Sequence, residues 1–378
     1  MTKAAELAKM GEVITNGQIS GRRNIVINGA MQVFQRGSAT FNHAATATAN
    51  LYGLDRFQFQ SANHDQLEGT ITQAADAPVG FTNSLKWTTT EPESAIAANE
   101  TFDCCQKIEA QDLQQLAFGT SSAKKLTLRF YVKSSVTGTY GINIFKADST
   151  ARQLTSTYAI SSADTWEEKT ILIPADTDSS GTIANDNGEG LRITWHLGTG
   201  TSYTSADNAL TWTDYADAGW AFGHAQNGVA TTDNATWQLT GVQLEVGSQA
   251  TPFESRSFGE ELELCQRYYE SSYNNGVAEA TNTSAGLITT DTMGGDTTTA
   301  YLTHQLEYRV AKRAAPTVVI YDQAETSGKV SSHVTGVSVA NGQTVSTEHA
   351  GDKSISMNRA SGDAANGFRF HYSATSEL

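Results

Sequence analysis

Cysteine, charge and long apolar runs are all scarce in this 378-residue chain, and each scarcity closes off a class of protein. The three cysteines, Cys104, Cys105 and Cys265, make no stapling framework, because the count is odd and a bridge between adjacent cysteines is strained. All three read as reduced, buried thiols. Charged residues are only 17% of the chain, which excludes a disordered polyelectrolyte and leaves the surface to Thr, Ser, Asn and Gln. The 25 Lys and Arg are outnumbered by 40 Asp and Glu, a net charge of -15. A phosphate backbone needs a basic stripe, so no nucleic-acid partner is expected, and an anionic bilayer is disfavoured for the same reason. No run approaches a membrane span, and "MTKAAELAKMGEVITNGQI" has no apolar signal region. The expectation is a chain made in a cytoplasm, without membrane insertion.

Catalytic signatures are missing too. There is no G-x-S-x-G, P-loop, G-x-G-x-x-G or H-E-x-x-H. The eight histidines are scattered, which argues against zinc. Two carboxylates meeting in space can hydrolyse a glycosidic bond, but no motif places such a pair. The chain therefore reads as a non-enzyme with no cofactor.

What is present is mainly β. Thr2 to Ile14 reads as a short helix whose stripe of Leu7, Met10 and Ile14 wants a partner. From Asn24 the period becomes two. "NIVINGAMQVFQRG" reads as a strand bent at Gly29, and "KKLTLRFYVKSS" aligns Leu126, Leu128, Phe130 and Val132 on one face. Many short strands between turn residues indicate an antiparallel sandwich, with Trp87, Trp166 and Trp237 in its core. "ATPFESRSFGEELELCQRYYE" then interrupts with one helix, in which Phe258, Leu262, Cys265 and Tyr269 recur at spacings of four, three and four. Further strands follow to the end.

The chain resembles a class of structural proteins from tailed bacteriophages, especially those of marine and aquatic bacteria. The likeness lies in "AAELAKMGEVITNGQISGRRNIVINGAMQVFQRG", "LYGLDRF", "WQLTGVQLEVGSQATPFESRSFGEELELCQRYYE", "KRAAPTVVIYD" and "FRFHYSA". The Asn24 to Glu254 portion also resembles a carbohydrate-binding-module jelly roll. Together these imply an attachment helix and linker at 1–23, a jelly-roll sandwich at 24–255, a linking helix at 256–271 and a smaller β domain at 272–378. They imply a virion surface protein, a homotrimeric tail fibre or tail appendage that meets a host cell-surface glycan and joins other virion proteins through its N-terminus. A head fibre or capsid decoration protein and a polysaccharide depolymerase are the alternatives.

Three sets of residues are candidates for chemistry. Trp212, Tyr215 and Trp220 lie among Asp, Gly and Asn, where exposed rings stack on sugars; packing over the sandwich or at a subunit contact is the other reading. Asp176, Asp178, Asp186 and Glu189 offer oxygen ligands for a structural calcium, or form an ordinary polar turn. Phe258, Leu262, Cys265 and Tyr269 can meet their copies on a threefold axis, as can the N-terminal stripe, or else pack under their own domain. Deleting Met1 to Gly21 is expected to leave a folded trimer that no longer joins virions. Normal incorporation of the truncated chain would refute the attachment role.

Overall fold

The computed structural model describes residues 3, 22–42, 48–291, 301–334, 337–360 and 367–378. Leu7, Met10 and Ile14 lie outside the described residues. The chain divides into two compact units, one of Met1–Gln32, Ala39–Ser257 and Leu378, the other of Val33–Ser38 and Phe258–Glu377. Both are mainly β, a jelly-roll-like sandwich and a smaller β domain.

The first unit contains β1 (Ala39–Asn42), β2 (Thr48–Tyr52), β3 (Gln58–Ala62), β4 (Glu68–Ala74), β5 (Ser84–Glu91), β6 (Thr101–Glu109) and β7 (Leu126–Ser134). It continues with β8 (Gly138–Lys146), β9 (Arg152–Ile160), β10 (Glu167–Ile173), β11 (Glu189–Thr199), β12 (Thr213–Asp214) and β13 (Thr236–Val246). Among the described residues one sheet runs β1-β4-β5-β13-β7-β10 and the other β12-β9-β8-β11-β6-β3-β2. Alternation builds the core between them. Leu126, Leu128, Phe130 and Val132 of β7 are all fully buried, as are Leu191, Ile193, Trp195 and Leu197 of β11. The rings of Phe41, Phe59, Trp87 and Phe102 form one aromatic cluster, with Trp87 and Phe102 4.6 Å apart. In β13 the inward residues are Trp237 and Leu239, then Val242 and Leu244. A bulge between Thr240 and Gln243 changes the parity, with Gly241 at φ +62°. Without that extra residue, Leu244 would turn to the sheet's polar outer face.

Two expectations fail here. Trp166 is only half-buried; its indole N–H donates to Asp76 at 3.1 Å, and Lys133 lies 5.4 Å from its ring. Its place just before β10 lets the alternation lapse, and the ring ends over a surface ion pair. The Asn24 segment is not a regular strand either. Asn28 and Met31 have φ of +59° and +56°, incompatible with a ladder, although Ile25 donates to Leu244 and Val242 donates to Gly29, both at 2.9 Å. A Cβ at Gly29 would fall 2.1 Å from the Val242 carbonyl oxygen, so the segment closes on β13 only with glycine there.

The second unit contains β14 (Tyr269–Ser271), β15 (Ile288–Asp291), β16 (Tyr301–Glu307), β17 (Thr317–Tyr321) and β18 (Lys329–Val334). β19 (Val337–Thr344), β20 (Ser346–Glu348), β21 (Ser354–Ala360) and β22 (Gly367–Thr375) complete it. β22 organises the larger sheet, because β14, β15, β17 and β18 all pair with it. Phe368, Phe370, Tyr372 and Ala374 of β22 meet Leu306, Ile320, Val330 and Met357 in the core.

The interrupting helix is shorter than the sequence suggests, Phe258–Gln266, and Tyr269 belongs to β14 instead. Cys265 and Tyr269 are 0% and 1% exposed. The Tyr269 hydroxyl donates to Glu279 at 2.8 Å, and the Arg36 guanidinium sits 3.7 Å from its ring. Those two side chains are thus already buried within the single chain. Of the expected stripe, Phe258 is exposed and Leu262 half-buried.

Beside the helix, Lys312 donates to Glu270 at 2.5 Å, and both side chains are fully buried. Glu270 also accepts from the Tyr372 hydroxyl at 2.6 Å and from the Arg309 amide. Removing one partner strands a buried charge. Lys312→Met is expected to cost about 3–5 kcal/mol in denaturant unfolding of this unit. A loss below about 1 kcal/mol, the range of exposed pairs, would show that the pair is not buried as described.

Candidate functional site

In the seven-stranded sheet, residues opposite one another form rows across the strands. One inward row is Phe59, Cys104, Trp195 and Ile142. One residue further, the side chains face away from the core. That row is Asn50 of β2, Gln60 of β3, Asp103 of β6 and His196 of β11. The next outward row holds Gln58, Cys105, Thr194, Asn143 and Thr155. Burial pushes the Cys105 thiol up to about 12, so it is inert.

The segment between β11 and β13 crosses this outward face and roofs its β8–β9 end. Hydrogen bonds to polar strand residues hold it there. Asn143 donates to the Trp220 carbonyl at 2.8 Å, Gln153 to the Ala216 carbonyl at 2.8 Å, and Thr155 to Asn208 at 2.7 Å. His196 places Nδ1 2.5 Å from Asp103 Oδ1 and Nε2 3.0 Å from the Trp220 carbonyl. Both ring nitrogens thus face oxygen atoms. Trp220 is held edge-on against Phe145, His196 and Tyr215, with centroids 5.7–5.9 Å away.

The β2–β3–β6 end stays open. It forms a cleft of about 240 Å³ whose walls include Asn50, Gln60, Asp103, Tyr203, Tyr215, Asp217 and Trp220. Its lining carries amide groups, two carboxylates and three aromatic rings, with no lysine or arginine. Tyr215 is 43% exposed and donates to Asp217 at 2.5 Å. A second concavity, of about 550 Å³, lies in the second unit beside Gln305, Glu307, Tyr308 and Lys353.

The aromatic trio of the sequence is therefore split. Tyr215 and Trp220 border the cleft, but Trp220 is 9% exposed and anchors the roof. Trp212 is not in the lining: its indole donates to the Pro174 carbonyl at 2.9 Å and its ring meets Phe118 edge-on at 5.6 Å. Asn50, Gln60 and Asp103 were missed. Alternation in "LDRFQFQ" and "TFDCCQK" turns Gln60 and Asp103 away from the core, but no local signal sets their strands side by side.

The acidic quartet does not gather either. Asp176 takes the Arg152 guanidinium at 2.7 and 3.2 Å, and Glu189 takes that of Arg192 at 2.8 and 2.9 Å. Asp178 accepts from the Ser180 amide at 2.9 Å and Asp186 from the Gly188 amide at 2.8 Å. Among the described residues, no three of the quartet bring ligand atoms within 4.8 Å of one another. Arginine and local turns have taken the carboxylates that the calcium reading needed.

The chain matches no protein-family model. It matches no curated protein. Among solved structures it is similar to the enzymatically active domain of tailspike protein 4 of bacteriophage CBA120, at 12% identity and a TM-score of 0.32, covering 59% of this chain and 21% of that one. It is also similar to a sugar-binding protein described as putative from Bacteroides thetaiotaomicron, at 10% identity and a TM-score of 0.31, covering 59% and 100%. A third is a family 11 carbohydrate-binding module of Clostridium thermocellum, at 13% and 0.28, covering 57% and 98%. Likeness at this level carries nothing about ligand or activity, and the functional reading rests on the cleft.

His224, under the roof, accepts from the Gly141 amide at 3.0 Å through Nδ1 and meets Asn227 at 3.1 Å through Nε2. Burial first, and His196 second, push its imidazole down to about 3. The folded ring is thus neutral, while the unfolded one takes a proton near pH 6.5. Its contribution to stability is complete above about pH 6.5 and declines as pH falls toward 3, by roughly 1.4 kcal/mol per unit. Between pH 6.5 and 4.5, unfolding free energy is expected to fall about 2–3 kcal/mol more in the natural protein than in His224→Asn. Equal acid sensitivity in urea titrations of both would refute the assignment.

Proposed function

We propose that this chain binds a cell-surface glycan in the cleft without cutting it, as part of a trimeric tail fibre or tail appendage of a tailed phage. The observation that carries the binding reading is the cleft lining. The amides of Asn50 and Gln60 both donate and accept, Asp103 and Asp217 accept, and Tyr203 and Tyr215 offer flat rings beside them. Sugar hydroxyls and sugar faces ask for that mixture, and the absence of lysine and arginine in the lining speaks against a phosphate ligand. The virion reading is supported by the sequence stretches that resemble phage structural proteins, and it places the protein on the virion surface after synthesis in the host cytoplasm. Attachment to other virion proteins falls to the N-terminus in this reading. A head fibre or capsid decoration protein shares the same sequence support, and labelling the chain on intact particles separates head from tail.

A depolymerase is the second reading, because Asp103 and Asp217 line one cleft. Hydrolysis needs one carboxylic acid and one free carboxylate across the bond. Asp103 is engaged by His196 and Asp217 by the Tyr215 hydroxyl, which favours binding over cleavage. Release of new reducing ends from host envelope polysaccharide would establish the enzyme instead.

Tyr215→Ala combined with Asp217→Asn is expected to weaken binding of the purified protein to host envelope polysaccharide at least tenfold, about 1.4 kcal/mol. Trp212→Ala, whose ring points at Phe118, is expected to leave binding unchanged. Unchanged binding in the double variant, with loss in Glu307→Ala combined with Lys353→Ala, would move recognition to the second unit.

A further inference from the structure

We infer that His64, Glu93 and Glu100 form a binding site for one divalent transition-metal ion at the end of the sandwich where the β3–β4 and β5–β6 connections meet. The three side chains offer one ligand atom each, all within 4.8 Å of one another. They are 4%, 2% and 6% exposed. His64 Nδ1 lies 3.1 Å from Glu93 Oε1 and 3.7 Å from Glu100 Oε2. Ligands about 2.0–2.2 Å from a tetrahedral ion stand roughly 3.3–3.6 Å from each other, so an ion enters with small side-chain shifts.

The surrounding backbone holds the carboxylates before any ion arrives. Glu93 Oε1 accepts the amides of Asp65, Gln66 and Leu67, all at 3.1 Å, and Glu100 Oε2 accepts that of Ala97 at 2.7 Å. Asn63 ties the two connections together by donating to the Asn99 carbonyl at 2.7 Å. Both side chains are more than nine-tenths buried.

Charge points the same way. Asp65, whose amide Glu93 accepts, adds a third carboxyl on the connection that carries His64. An imidazolium at His64 offsets one carboxylate only, whereas a divalent ion offsets two. The nitrogen ligand also selects the ion: calcium takes oxygen, while imidazole with carboxylates suits zinc and, less tightly, manganese. His64 follows β3 by two residues and Glu100 directly precedes β6, so the ion would pin the ends of the strands that carry Gln60 and Asp103. The inference stands whether or not the cleft binds a sugar.

The test uses the full chain, stripped with a chelator and titrated with zinc chloride. Calorimetry is expected to find one zinc per chain, with a rise in the thermal midpoint. His64→Gln and Glu100→Gln, each checked for β circular dichroism, are expected to weaken zinc binding at least tenfold. Zinc X-ray absorption of the natural protein is expected to show a single imidazole, and it decides the matter if either variant fails to fold. Three results would overturn the site: no zinc or manganese bound by the folded, stripped chain at millimolar concentration, zinc held equally by both variants, or calcium bound more tightly than zinc.

Discussion

The contact between Asp103 and His196 decides where the cleft begins and ends. Strand register sets the two side chains opposite each other on the outward face, and their atoms meet at 2.5 Å. The second imidazole nitrogen then reaches the Trp220 carbonyl, which Asn143 also holds. Trp220 is fixed by its backbone as well as its ring, and Tyr215 and Asp217 follow because they lie on the same short stretch. On one side of this contact the sheet is roofed; on the other it is open. The neutral state of His224 comes from burial first and from the neighbouring His196 ring second. One cross-strand pair thus couples the wall of the site to the packing beneath its roof.

The roof shows why polar strand residues can be buried at all. Asn143, Thr155, His196 and Gln153 are nearly inaccessible, and each finds a partner in the covering segment. A polar face covered by an apolar loop would lose those bonds, at about 1–3 kcal/mol for each group left unsatisfied. The covering segment is accordingly rich in carbonyls and amides presented by irregular backbone, with short 3-10 turns at Thr201–Tyr203 and Asp217–Gly219. Its aromatic residues serve the packing first and the solvent second.

What the sequence made legible was the periodic part. β7 buries alternate residues because a half-buried strand has no other way to hide its apolar side chains, and β11 keeps the same apolar spacing on its core face. The tryptophans of β5 and β13 follow the same rule, while Trp166, half-buried at the start of β10, escapes it. The Asn24 segment misled because apolar alternation survives in residues whose backbone leaves the strand region at Asn28 and Met31. The helical stripe misled differently. Spacing identified Cys265 as a buried position, but it cannot say whether a sister chain or the same unit does the burying. The candidate site was mostly illegible, since Asn50, Gln60, Asp103 and Asp217 belong to separate strands or loops and only register unites them. The acidic loop failed for a related reason: Arg152, 24 residues from Asp176, and Arg192, on the same strand as Glu189, had first claim on those two carboxylates.

Cleft size carries the last step. Pockets that bury a drug-sized ligand occupy about 300–1,000 Å³. This one, at about 240 Å³, is smaller and is open along β2. Its largest ring, Trp220, spends its faces on the roof, which leaves Tyr215 as the most exposed platform. Under the proposed reading, such a site would hold a short stretch of sugar and leave part of it in water, so the affinity of one chain would be low. Attachment would then call for several clefts presented together, where a second contact forms at the effective concentration set by the first. In that reading the case for several chains comes from the shape of the cleft. It does not rest on the helix seam, whose Cys265 and Tyr269 are already buried in the single chain.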